Sequence, residues 1–139
     1  MKKVITYGVF DFFHFGHLRL LKNIKTYFNE DIFLTVFVQD SDYILKYKPN
    51  TTILYSTQDR IEMIKELRCV DDAQVYKIVS EHIKTIDFDV WVKGPDQNHS
   101  GLKIAEQYCV SNNKEIVILP RTKLISSTYI KELLKSLKK

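Results

Sequence analysis

The chain has 139 residues, of which 45% are hydrophobic and 27% charged, enough to bury one core without disulfide or metal staples. Its formal charge of +4, from 21 basic and 17 acidic residues, suits a phosphorylated small molecule, and no interleaved basic and aromatic pattern marks a nucleic-acid module. Two cysteines without CxxC spacing argue against a disulfide framework and for a reducing cytoplasm. Only a short strand-like run follows Met1-Lys2-Lys3, so neither a signal peptide nor a membrane insertion is expected.

The first strand is read over 3–7, on Val4-Ile5-Thr6-Tyr7, and a helix follows at 16–28 with the apolar series Leu18, Leu20, Leu21 and Ile24. The near-continuous apolar run at 32–38 suits a strand buried on both faces. Little periodicity marks Gln39 to Thr57, which carries Asp40, Lys46, Lys48 and Pro49. A structureless stretch of that length predicts a functional lid or a disordered loop. Ser56 or Thr57 caps a helix over 57–68 with Ile61, Ile64 and Leu67 facing inward. Strands at 73–77, 89–93 and 115–119 alternate with helices at 79–86, 100–111 and 127–137. The last helix, capped by Ser126 or Ser127, is expected to bury Ile130, Leu133, Leu134 and Leu137, and its terminal lysines complement the helix dipole. Such alternation predicts a single α/β domain over 1–139, with a mostly parallel five-stranded sheet between helical layers.

The most informative stretch is Gly8-Val9-Phe10-Asp11-Phe12-Phe13-His14-Phe15-Gly16-His17, at the first strand-to-helix junction. Strand C-termini and helix N-termini converge there, and free backbone N–H groups favour phosphate. Two imidazoles add directional donors. His82, His99, Cys69 and Cys109 lack the spacing that would complete a zinc site with this pair. Capping or core histidines fit the local sequence as well.

Three later segments accompany this one: Tyr55-Ser56-Thr57-Gln58-Asp59-Arg60, Val92-Lys93-Gly94-Pro95-Asp96, and Arg121-Thr122-Lys123-Leu124-Ile125-Ser126-Ser127-Thr128. In this order the four resemble the HxGH nucleotidyltransferase superfamily, cytidylyltransferase branch, and the opening Met1 to Gly8 is similar to bacterial members that act on glycerol 3-phosphate. The resemblance implies a Rossmann-like three-layer αβα sandwich. It also implies transfer of CMP from CTP to a phosphorylated alcohol, releasing pyrophosphate, with Mg²⁺ or another divalent cation and a homodimeric enzyme. A CDP-glycerol product would serve a teichoic acid, capsule or other surface glycan.

By motif position the resemblance assigns His14, His17, Lys46 and Arg121 to catalysis. It places Gly8, Val9, Phe10, Asp11, Gly16, Gly94, Asp96, Thr122, Ile125, Ser126, Ser127 and Thr128 around the nucleotide. Lys48, Arg60 and Arg68 fall to the second substrate, and Asp11 and Asp96 to a metal. For Asp11, an Asx residue that steadies the turn is an equal alternative. Val9, Pro95, Gln97 and Leu124 depart from the family pattern. They leave open other acceptors (phosphocholine, phosphoethanolamine, a sugar phosphate), an adenylyl transfer to FMN, and a non-catalytic nucleotide-binding module.

Overall fold

The computed structural model describes residues 1–95, 100–120 and 127–137, with side chains in the last segment from Ile130 onward. Its strands are β1 (Lys2–Gly8), β2 (Ile32–Gln39), β3 (Asp72–Tyr76), β4 (Val90–Lys93) and β5 (Glu115–Ile118). The helices are α1 (Phe15–Tyr27), α2 (Ser41–Tyr47), α3 (Thr57–Lys65), α4 (Val79–His82), α5 (Ser100–Ser111) and α6 (Ser127–Leu137), and a 3-10 turn, Ile83–Thr85, extends α4. All strand pairs are parallel, in the order β3-β2-β1-β4-β5. This is the Rossmann-like α/β architecture that the alternation predicts.

Successive strand residues feed opposite cores, as a period of two requires. Val4, Leu34, Val36, Val90 and Val92 join Leu21 and Ile24 of α1 and Ile61 and Ile64 of α3. Ile5, Tyr7, Phe37 and Trp91 join Ile83 and the α5 residues Leu102, Ala105 and Cys109 on the other face. Thr6, buried where β1 meets β4, satisfies its hydroxyl by donating to Val92 O at 2.8 Å. Among the described residues no helix is long and apolar enough to cross a membrane.

Two expectations are corrected. The stretch from Gln39 to Thr57 is not structureless, because α2 occupies Ser41–Tyr47 with Asp40 as its N-cap and Ile44 as its one buried residue. A helix this short, with one inward apolar position, leaves no periodic stripe to read. In α6, Leu133, Leu134 and Leu137 are exposed (48%, 46% and 74%), not buried, and Ile130 is half-buried. The amphipathic pattern declares that a helix has an apolar face; it does not supply the surface that covers it.

Candidate active site

The strand order reverses at β1: chain progression runs outward through β2 and β3 on one side and through β4 and β5 on the other. The loops leaving β1 and β4 border the crevice at such a switch point, where open α/β sheets bind ligands. Gly8 to His14 leave β1, and Gly94 follows the end of β4.

The turn is tightly wound. Phe10 and Phe12 adopt positive φ, 55° and 49°, a region costing a non-glycine residue on the order of 1 kcal/mol or more. A Cβ on Gly8 would stand 2.7 Å from the Phe10 ring, so glycine is required for that ring to fold back beneath the turn. Phe10 is buried, with its ring edge-on to His17 at 5.4 Å, and Phe13 stacks on the same imidazole at 5.5 Å.

His14 is both a helix cap and a presented imidazole, so the capping and ligand readings of the sequence are compatible. Gly16 N donates to His14 Nδ1 at 3.0 Å, and His14 N donates to His17 Nδ1 at 3.3 Å. A nitrogen that accepts from a backbone amide carries no proton, so each neutral ring holds its proton on Nε2. The two rings stack with centroids 3.9 Å apart, which disfavours charging both. Burial holds His14 below the ordinary imidazole range. Its Nε2 is buried without a hydrogen-bond partner among the described residues. His14 Nε2 therefore offers an N–H donor suited to a phosphate oxygen.

Asp11 ties two segments of chain together. Its buried carboxylate accepts from Leu54 N at 2.7 Å and Tyr55 N at 3.0 Å, tying the segment before α3 to the turn. Both carboxylate oxygens of Asp11 are engaged by these amides. Its steadying of the chain reaches further than an Asx turn, over 43 and 44 residues.

Arg60, assigned from sequence to the second substrate, is entirely buried. Its Nε donates to Tyr55 O at 3.2 Å, one terminal nitrogen to Val9 O at 2.7 Å, and the other to Ser41 Oγ at 2.6 Å and Thr57 Oγ1 at 3.4 Å. Burial pulls its pKa down, while Asp11 and Asp40 act in the opposite direction.

Lys46 and Lys48 are exposed at the last turn and C-cap of α2, which follows the C-terminal end of β2 and so lies at the same end of the sheet as the histidines. Arg68 does not join them. It is exposed in the segment entering β3, where Asp71 bonds Leu34, level with Val4 near the start of β1. That is the opposite end of the sheet from Gly8, because parallel strands put all their N-termini together. Asp96, Arg121, Thr122, Ile125 and Ser126 lie outside the described residues, as do Gln97 and Leu124. Ser127 and Thr128 open α6. Lys131 docks that helix, donating to Thr52 O at 2.8 Å and standing over the Phe12 ring at 5.1 Å.

Sequence reasoning missed Ser41 and Lys131. The position of Arg60 four residues before Ile64, on the inward stripe of α3, is a legible sign of its burial.

The family model described as cytidylyltransferase-like matches residues 5–133. A glycerol-3-phosphate cytidylyltransferase of Bacillus spizizenii is 33% identical over 99% of this chain and 100% of its own length. An FAD synthase of Thermococcus sibiricus is 30% identical, over 85% of this chain and 80% of its own. The crystal structure of a lipopolysaccharide core biosynthesis protein from Thermoplasma volcanium shares the fold, with a TM-score of 0.67 and 23% identity over 90% of this chain and 99% of that one.

Proposed function

The chain belongs to the cytidylyltransferase-like family, and from that premise we propose that it transfers CMP from CTP to glycerol 3-phosphate, yielding CDP-glycerol and pyrophosphate. The observation that carries the reading is the pair of imidazoles at the switch point, each locked by a backbone amide with its proton on Nε2. A phosphate oxygen of the acceptor attacks the α-phosphorus of CTP in line, a P–O bond forms, and the bond to pyrophosphate breaks. His14 and His17 donate to oxygens that gain charge as this happens, a stabilisation worth most in a partly desolvated site. Lys46 and Lys48 neutralise the acceptor phosphate. By family resemblance, Gly94 and Asp96 are assigned to the nucleotide, and Arg121, Thr122, Ile125, Ser126, Ser127 and Thr128 to its triphosphate. A divalent cation such as Mg²⁺, bound with the nucleotide and approached by Asp11 or Asp96, would neutralise phosphate charge. The enzyme acts in the cytoplasm as a homodimer.

End-to-end correspondence with the Bacillus relative supports glycerol 3-phosphate as the acceptor. A second reading, adenylyl transfer from ATP to FMN, is favoured by the FAD synthase relatives and by exposed Val9, Leu54 and Tyr55 at or tied to the histidine turn. Pyrophosphate release measured across CTP, ATP, UTP and GTP, each with glycerol 3-phosphate, phosphocholine or FMN, separates the two. Release from CTP with glycerol 3-phosphate is expected. His17→Ala should lower it at least ~100-fold while the chain stays folded, the scale of losing a transition-state donor. Release only from ATP with FMN would select the second reading. Nucleotide binding without release by any pair would identify a non-catalytic module.

A further inference from the structure

A charged guanidinium is strongly disfavoured away from water unless its donors find acceptors. Arg60 finds them on separate pieces of chain: Val9 O on the histidine turn, Ser41 Oγ at the start of α2, and Tyr55 O with Thr57 Oγ1 at the entry to α3. The net closes on itself, because Ser41 N donates to Thr57 Oγ1 at 2.8 Å and the Thr57 hydroxyl meets Ser41 Oγ at 3.0 Å and Asp40 Oδ1 at 3.5 Å. Packing of α3 alone would be met by an apolar residue, as at neighbouring Ile61 and Ile64. Only the rigid fork of an arginine reaches acceptors in so many directions at once.

We propose that Arg60 is a positioning residue for the transfer reaction, fixing the lysine-bearing helix α2 relative to the histidine turn. The inference rests on the nucleotidyl-transfer reading above. A helix is stiff and rises about 1.5 Å per residue, so anchoring Ser41 places Lys46 about 7.5 Å along the axis and Lys48 just beyond it. Val9 lies on the turn that presents His14 and His17. Arg60 thereby sets the separation between the groups that take the acceptor phosphate and those that stabilise the reacting phosphorus, without touching either substrate. A displacement of about 1 Å between such groups costs on the order of a hundredfold in rate.

The test compares the full-length chain with Arg60→Lys and Ser41→Ala, varying CTP and glycerol 3-phosphate separately and following amide hydrogen exchange without ligand. Arg60→Lys is expected to lower kcat/KM for the acceptor ~100-fold, through both kcat and KM, while CTP affinity by calorimetry stays within about threefold. Exchange should quicken across 41–48 and at Leu54 and Tyr55, with β4 and β5 as protected as before. Ser41→Ala, which removes one bond of the net, should give the same pattern at roughly tenfold. It carries the test if Arg60→Lys does not fold. Unchanged exchange in the variants, or retention of acceptor KM by Arg60→Lys as a simple charge contact with phosphate requires, overturns the proposal. If the unaltered chain transfers to no acceptor, the transfer reading fails. The exchange measurement then still decides whether Arg60 ties α2 to the turn.

Discussion

At His14 and His17, backbone amides decide which ring nitrogen carries the proton, so the chemistry of the site depends on the first turn of α1 as much as on the side chains. The histidines were legible as residues in the sequence, whereas their tautomer was not, because it follows from Gly16 N and His14 N closing back on the rings. Burial also lowers the pKa of His14 and of His82, whose Nδ1 meets Tyr7 OH at 2.8 Å. Both bind protons less readily folded than unfolded, so their contribution to stability is complete above about pH 6.5 and is lost as pH falls through the folded values. The urea midpoint should therefore decline from pH 7 to pH 5, and both histidines should titrate by NMR below their denatured-state midpoints. A native His14 midpoint at or above the denatured one would show that burial does not govern the ring.

Elements carry the site less obviously than motifs do. Asp11 belongs to the histidine motif by sequence, yet its work is done on Leu54 and Tyr55. A hydrogen bond to a charged group contributes about 1.5–3 kcal/mol, so Asp11→Ala, which loses two, should lose at least about 2 kcal/mol in urea unfolding. The loss should be the same with Mg²⁺ as with chelator; dependence on the cation would return Asp11 to metal binding. Helix α2 was hidden because seven residues with one buried side chain carry no period, although Asp40, its cap, is visible in the sequence. The cation at position 60 was legible and its burial was not weighed, since charge suggests exposure while Ile61 and Ile64 beside it mark the inward face. In α6 the sequence points the other way, because the Leu133, Leu134 and Leu137 stripe promises burial while all three side chains are exposed.

For the whole molecule, β-α alternation was enough to give the architecture, because strands of this length joined by helices have few ways to form a sheet. Strand order was not legible: it depends on which pairs of buried faces fit, and it places the crevice between β1 and β4. The proposed homodimer predicts a mass near twice the 16.4 kDa of the chain by light scattering. A mass of one chain at assay concentration would refute it.

The β1–β4 pairing joins residues as distant as Val4 and Val90, whereas β1 finds β2 within the first 38 residues. A chain emerging from the ribosome can pair β1, β2 and β3 first, with the histidine turn tied down only once Leu54, Tyr55 and Arg60 have emerged, but the second wall of the crevice does not exist until β4 is synthesised. Long-range parallel pairing forms slowly because a large loop must close before any contact repays it. A nascent or truncated chain can thus hold much of the fold and none of the crevice. Competence for phosphate binding arrives with the late strand, whatever the age of the motif that identifies it.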